Sequence, residues 1–484
     1  MGGGGGKPLN IFTMKRGDEP KEVFNWRLWF AVFSFGIMGA ARGIDEGLIS
    51  GTFNTKNFQK ALHFDELDEV ALANVKGNVS AMVQIGSVAG AGLAFLLADR
   101  IGRLWATRQL CLMWILGIVI FLTNGGRLGQ VYAGRFIAGL GIGQTTVIAP
   151  VYISEIAPKS VRGLCTCVFA GSARVRGLPR DHYYVTDEIN EIQHQLHEEQ
   201  EATLGQGFFG YLKEMFLMPN NFYRIYLGLG SQLLSQWSGA QSITIYAPDF
   251  FALLGTKGQN EKLFATAIFG VVKFVAAIAC ALFLVDYIGR KRSLSIGIGL
   301  QAISMAYIAA FLTAVPTLGE GEEFTTAQKH ASTGAIVMIY LSGFGWAMGW
   351  NSIQYLLNAE IYPLRIRAMS SSLVMCFHFV NQYGNSRAVP SMLLDVSDGG
   401  LSPKGTFWLF TAITIIGGVW AWFFIPETAG RSLEGMDELF KLPWYRIGRY
   451  GQREAEISDQ FAAERHLEEK QAAGVERVEV ATKV

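Results

Sequence analysis

Apolar residues recur along the chain in ten blocks, at roughly 27–50, 77–98, 106–124, 128–152, 223–251, 263–285, 293–315, 334–358, 368–394 and 405–425. Each is close to the ~20 residues that a helix needs to cross a hydrocarbon core. Buried helices of a soluble domain would be shorter and would keep a polar face. The pattern predicts an all-α integral membrane protein with ten transmembrane helices. The polar stretches divide it into a flexible start over 1–26, four spans within 27–172, a charged helical insert over 173–222, six spans within 223–425 and a charged tail over 426–484.

Composition agrees with this reading and removes other classes. Half of the 484 residues are hydrophobic and 17% are charged, against about 25% charge in an average soluble domain. A net charge of +1 offers no basic surface for nucleic acid. The five cysteines, Cys111, Cys165, Cys167, Cys280 and Cys376, lie in or beside apolar runs rather than in a disulfide framework. Cys165-Thr-Cys167 has no companion ligands at zinc spacing. No phosphate loop with its lysine and no nucleophile elbow is visible. The expectation is therefore no metal, no cofactor and no enzyme, with any work driven by an ion gradient.

Orientation follows from short loops, because basic residues collect on the cytosolic side. Arg100, Arg103 and Arg108 follow the second block, Arg290, Lys291 and Arg292 the sixth, and Arg365 and Arg367 the eighth. With alternating spans all three sets fall on one side, together with the insert. Both termini are expected in the cytosol.

Two signatures occur twice. Asp99-Arg-Ile-Gly102-Arg103 is matched by Asp286-Tyr-Ile-Gly289-Arg290, each closing one span and opening a tight turn. Glu155-Ile-Ala-Pro158 leading to Arg162 is matched by Glu360-Ile-Tyr-Pro363 leading to Arg367, in each case after the span two further on. The chain is thus two related halves, an arrangement common in secondary transporters. The halves are unequal. After Arg367 two more spans follow, whereas after Arg162 only the short stub 163–172 precedes the charged insert. By its own symmetry the first half lacks two spans. Removing an even number leaves everything downstream correctly oriented.

At these residues the chain resembles the sugar-porter branch of the major facilitator superfamily, and within it the fungal quinate-permease-like members. The resemblance covers about 25–172 and 174–440. It is carried by both repeats, by Gly134-Arg135 with Gly139, Gly141 and Gly143, by Gln236-Trp-Ser238-Gly239 and by Pro426-Glu427-Thr428. It implies two helical bundles around a central cavity, a small-molecule substrate and a plasma-membrane location. The family's fifth and sixth spans are missing here, at a junction near Ser172–Arg174. A shortened splice product and a mis-joined gene both give this pattern.

Charges inside a bilayer are costly and usually functional. Asp45 lies in the first block and Arg135 in the fourth. A nearby arginine lowers a carboxyl pKa and desolvation raises it, so alternation between the two would couple a proton to solute movement. The resemblance implies that role for Asp45. Glu46 is an alternative carrier, and a static ion pair is the plainer reading. Gln236, Gln241 and Tyr246 suit hydroxyl-rich solutes because each can donate and accept, and the resemblance puts the two glutamines at sugar-contacting positions. Asn351, Gln354, Tyr355 and His378 are further cavity candidates, with helix–helix hydrogen bonding as the alternative for each. Ser235 and Gln241 replace the family's common Gln and Asn, and His378 and Phe379 stand where many sugar porters have Asn and Trp. These departures argue against a standard glucose site. Lys273 is mid-span, where it would meet a substrate carboxylate or a carboxylate of the protein. Asp99, Arg103, Glu155, Arg162, Asp286, Arg290, Glu360 and Arg367 are expected to form cytosolic gating salt bridges between the bundles. The expected function is proton-coupled symport of a sugar or a quinate-like polyhydroxy acid by alternating access, impaired by the missing spans. The rivals are a non-transporting nutrient sensor and a regulatory or non-functional truncated form.

Overall fold

The computed structural model describes residue 52 and residues 55–156, 208–256, 258–280, 288–315, 324–428, 436 and 439–448. All regular structure among them is helical. The first half contributes α1 (Lys56–Ala61), α2 (Glu69–Arg100), α3 (Arg103–Leu122) and α4 (Leu128–Ile156). A linking helix, α5 (Phe208–Leu217), leads into α6 (Pro219–Gln236), the first helix of the second half. There follow α7 (Ala240–Ile245), α8 (Ala247–Leu253), α9 (Gln259–Ala279), α10 (Arg290–Ala314) and α11 (Thr326–Trp346). A π-helical turn over Ala347–Asn351 continues α11 into α12 (Ser352–Glu360), and α13 (Leu364–Met392), α14 (Ser402–Phe424) and α15 (Trp444–Ile447) complete the chain.

Five of these segments are long and apolar enough to cross a membrane by length and composition: Leu104–Leu122, Gln259–Ala279, Arg290–Ala314, Thr326–Tyr355 and Ser402–Phe424. The helices α2, α4 and α13 are also long, at 32, 29 and 29 residues. At about 1.5 Å per residue each exceeds a hydrocarbon core of about 30 Å. The first apolar block, 27–50, lies outside the described residues.

Helix ends differ from the apolar blocks because capping is polar. The second helix starts eight residues before its block, at Glu69, where the Asp68 carboxylate accepts from the Ala71 N–H at 3.0 Å. The helix of the eighth block, α11, starts at Thr326 rather than 334, behind a capping box of Thr325 and Gln328. The fifth block is not one helix. It breaks at Gly239, whose φ of 86° is left-handed, and again at Tyr246.

The two glycine turns have the same backbone. Gly102 has φ 79° and ψ 152°, and Gly289 has φ 97° and ψ 157°. Each is followed at once by a helix opening on arginine. Only glycine adopts that conformation without strain, so the repeated signature is a repeated geometry.

Within the first half, α4 packs on both α2 and α3. A Cβ at Gly139 would come within 3.0 Å of Gly86 Cα and Ser87 N, so the two backbones touch. Ser87 Oγ also donates to the Gly139 carbonyl at 3.1 Å. Small residues and interhelical hydrogen bonds are what bind helices where lipid is as apolar as leucine. The Gly134–Gly143 run is therefore a packing device.

The halves meet mainly where α2 lies along α13, with smaller contacts from α4 to α12 and α13. The helix α9 packs on α8, α11 and the π turn of its own half. Only Phe269 and Ala276 of α9 are buried, while Phe264, Val271, Phe274 and Val275 are more than half exposed.

The start of the charged tail packs on the second half. Phe440 is fully buried, its ring 6.2 Å from that of Tyr223, with the Arg224 guanidinium 4.4 Å above it. Met436, Leu439 and Ile447 are buried with it. Their apolar spacing docks this stretch on the second half.

Candidate functional site: a buried polar seam in the second half

The break after α6 exposes backbone groups that a continuous helix would satisfy. Gln301 from α10 supplies them: its Nε2 donates to the Ser238 carbonyl at 3.0 Å and to Ser238 Oγ at 2.9 Å. Thr414 from α14 donates to the same carbonyl at 3.3 Å. At the π turn, Met348 O accepts from Ser293 Oγ at 3.3 Å and from Cys280 Sγ at 3.1 Å. Two helices are thus interrupted in the same half.

Beside the first break, α6 and α13 share a line of polar side chains. His378 Nδ1 lies 2.8 Å from Gln232 Oε1 and 3.3 Å from Gln236 Nε2. The imidazole also packs against the rings of Tyr355, at 5.9 Å, and Phe379, at 5.0 Å. Ser235 Oγ donates to Gln354 Oε1 at 2.7 Å, which brings α12 into the same cluster. Further along α13, Asn385 donates to the Gln236 carbonyl at 2.7 Å and accepts from Ser242 Oγ at 2.6 Å. Asn381 accepts from the Trp237 indole at 3.2 Å.

The structure therefore gathers Gln236, Gln354, Tyr355 and His378 as one cluster. Gln241 is buried on α7 and Asn351 is half-buried at the end of the π turn. Tyr246 is fully buried, and its hydroxyl donates to the Ser386 carbonyl at 2.7 Å. Lys273 belongs to a second group: its Nζ donates to Thr244 Oγ1 at 2.8 Å and lies 4.4 Å from the Trp346 ring centre. Sequence reasoning missed Gln232, Asn381, Asn385, Thr244 and Trp346. A signal for three of them existed. Gln232 precedes Gln236 by four residues, and His378, Asn381 and Asn385 recur at three and four, so each set marks one helix face.

Arg135 is buried in α4, while Asp45 and Glu46 lie outside the described residues. Among the signature groups, Arg162 and Asp286 also lie outside them. For Asp99 in the last turn of α2, Arg103 opening α3 and Glu155 near the end of α4, the backbone alone is described.

The second copy of the signatures is described in detail. Arg290 Nη2 donates to Glu360 Oε1 at 3.1 Å, with both side chains under 10% exposed. Thr428 Oγ1 donates to the other Glu360 oxygen at 3.0 Å. Glu427 accepts the Arg290 and Lys291 N–H groups at 2.9 and 3.1 Å, capping the positive end of α10. Arg367 donates twice to the Tyr362 carbonyl, at 3.1 and 3.0 Å. These bonds join elements of one half to each other, rather than the two halves. Pro426-Glu427-Thr428 thus closes onto the second Asp-Gly-Arg turn.

The all-helical bundle, with its interrupted helices and buried polar seam, has the major facilitator fold. The chain aligns with the proton:xylose symporter XylE bound to 6-bromo-6-deoxy-D-glucose at a TM-score of 0.65 and 20% identity, covering 85% of this chain and 99% of that one. With the inward-open xylose transporter XylE from E. coli the TM-score is 0.55 at 19% identity, over 84% and 99%.

The chain belongs to the sugar (and other) transporter family, whose model matches residues 31–173 and 172–440. It is a multi-pass membrane protein of a transporter family and not an enzyme. A probable quinate permease of Aspergillus niger is 28% identical, over 87% of this chain and 89% of the relative. The quinate permease of Emericella nidulans is 26% identical, over 92% and 95%. The A. niger alignment runs over 492 positions but takes in 87% of the 484 residues here, about 421, so about 71 of its positions face no residue of this chain.

Proposed function

We propose that the chain is a secondary active transporter of the alternating-access type, carrying a sugar or a quinate-like polyhydroxy acid together with a proton. The observation that carries this reading is the buried seam of Gln232, Gln236, Gln354 and His378 beside the break at Gly239. Amides, hydroxyls and an imidazole can each donate and accept, which suits a hydroxyl-rich solute. Sites beside interrupted helices are where such transporters bind their cargo. The names of the fungal relatives and of XylE support the acid and the proton respectively.

In this reading Gln236, Gln241, Asn351, Gln354, Tyr355 and His378 contact the solute, and Tyr246 braces α7 and α8 against α13. Asp45, or its neighbour Glu46, takes the proton, and Arg135 sets its affinity. Asp99, Arg103, Glu155, Arg162, Asp286, Arg290, Glu360 and Arg367 gate the cytosolic side, where both termini lie. The test is uptake of labelled quinate and labelled xylose by proteoliposomes with an imposed proton gradient. Gradient-driven accumulation of either, lost in Asp45→Asn, is the expected result. No uptake and no binding of either solute would sink the reading.

A second reading, solute binding without flux, is favoured by one observation. About 71 aligned positions are absent here, close to two spans of ~20 residues with their connections. On this view the first half has four spans. Specific binding with no accumulation would select it.

A further inference from the structure

The boundary between the halves holds a cation whose partners among the described residues are neutral. Arg387 stands in the last two turns of α13, half-buried, at the end of the molecule opposite the Gly102 turn. Its Nη2 donates to the Asn74 side-chain oxygen on α2 at 2.6 Å. Its charge also acts on the hydroxyls of Tyr132, from α4, and Tyr246, at the break between α7 and α8. The place is built for it. A Cβ on Gly77 would come within 3.1 Å of the Arg387 carbonyl oxygen and 3.3 Å of its Nη1. An alanine at 77 would crowd the side chain that the glycine admits.

An amide and two phenols orient a guanidinium without cancelling its charge. Beside them Lys76 and Asp249 pair at 3.7 Å and balance each other. Among the described residues, the cluster therefore keeps the positive charge of Arg387. The same turn of α13 enters the polar seam. Asn385 donates to the Gln236 carbonyl at 2.7 Å, and the Ser386 carbonyl accepts from Tyr246 at 2.7 Å. The guanidinium thus stands at one end of the line of groups that suits a hydroxyl-rich solute.

We infer that Arg387 is a carboxylate-binding residue at this end of the polar seam, released from Asn74 when the halves part there, and that it makes the protein select a polyhydroxy acid over a neutral sugar. The inference rests on the solute-binding reading above and deepens it. Hydroxyls are read by the amides of the seam, and the charge by Arg387. A planar guanidinium matches the two oxygens of a carboxylate, and such charge-assisted pairs are stronger than a bond to a neutral amide. In the closed arrangement Asn74 occupies the guanidinium. An acid that replaces Asn74 favours the open arrangement by its differential affinity for it, and a neutral sugar lacks that contribution. No covalent bond is made or broken.

The test is equilibrium binding to the purified full chain in lipid nanodiscs, which needs no flux. The probes are quinate for the acid and xylose for the neutral polyol. The readout is the ratio of their affinities, because a change in how readily the halves part moves both alike. Arg387→Gln should lower the quinate-to-xylose ratio by about tenfold or more, and Arg387→Lys should restore part of it. Asn74→Ala breaks the same hydrogen bond but keeps the charge, and should leave the ratio at or above that of wild type. Equal losses of both probes in Arg387→Gln would make Arg387 a latch alone and overturn the inference. So would unchanged quinate binding, or an Asn74→Ala ratio as low as that of Arg387→Gln. Retained xylose binding shows that Arg387→Gln is folded. If it does not fold, Asn74→Asp sets a carboxylate against the guanidinium and must lower the ratio, and an unchanged ratio overturns the site. If wild type binds quinate alone, quinate binding lost in Arg387→Gln and partly recovered in Arg387→Lys supports the site, and equal binding in all three proteins overturns it. Wild type that binds xylose but not quinate defeats this inference alone. Wild type that binds neither defeats the solute-binding reading with it.

Discussion

The Arg387 guanidinium on α13 donates to the Asn74 side-chain oxygen on α2 at 2.6 Å, across the boundary between the two halves. Close by, Lys76 and Asp249 pair at 3.7 Å, again across that boundary. Asn74 and Lys76 lie in the opening turns of α2, at the opposite end from the Gly102 turn. These contacts hold that end of the molecule shut, so opening toward that side has to break them.

The two contacts should not count equally. A partly exposed ion pair is worth about 0–1 kcal/mol, and a hydrogen bond from a charged group about 1.5–3 kcal/mol. Labelling of a cysteine placed at the buried Ser80 reads the opening. Lys76→Ala should speed labelling by less than about fivefold, and Arg387→Ala by about tenfold or more. Equal rates in all three proteins would show that neither contact restrains the opening.

The Arg290–Glu360 pair makes a sharper stability prediction. Glu360→Ala removes the carboxylate that the buried Arg290 guanidinium donates to and should cost about 3–5 kcal/mol. Glu360→Gln keeps an acceptor for Arg290 and should cost visibly less. Thermal unfolding in detergent ranks the variants, and a Gln variant as damaged as the Ala variant would contradict the ranking.

Gly139 tests the close approach of α4 to α2. With its backbone against Gly86 and Ser87, Gly139→Ala should destabilise by about 1–3 kcal/mol through overpacking. Gly139→Leu should yield no folded protein. A Gly139→Leu variant that purifies and melts like wild type would mean that the two helices separate freely.

His378 Nδ1 faces both Gln232 and Gln236 from the opposite helix, donating to Gln232 Oε1 in one tautomer or accepting from Gln236 Nε2 in the other. His378→Ala should release whichever amide it binds and weaken xylose and quinate alike, by about tenfold. Binding that survives His378→Ala unchanged would place the solute elsewhere.

The architecture was legible to the extent that it rests on local chemistry. Helical spans follow from the length of the apolar runs, and the repeated Gly102 and Gly289 turns follow from the freedom of glycine. The starts at Glu69 and Thr326 were not legible from hydrophobicity, because Asp68, Thr325 and Gln328 act through backbone hydrogen bonds. The break at Gly239 was hidden inside an apolar block. It is accommodated because Gln301 and Thr414, far away in sequence, donate hydrogen bonds to the buried Ser238 carbonyl. Gln236 and His378 could be singled out separately, but their meeting, and the part of Gln232 and Asn385, depend on how α6 and α13 pack. The gating groups show the same limit: Arg290 and Glu360 were expected to bridge the halves, and they bridge two helices of one half.

The seam between α2 and α13 is, among the described residues, the one long line along which the halves touch. The signatures make α9 the counterpart of α2, and among the described residues the outward side of α9 carries no such neighbour from the first half. Two bodies borne along two parallel lines can tilt back and forth about the middle. Borne along one line, they swing as a door does, with one edge fixed and the other sweeping wide. Among the described residues, motion about this seam should therefore carry the α9 edge farther than the α13 edge.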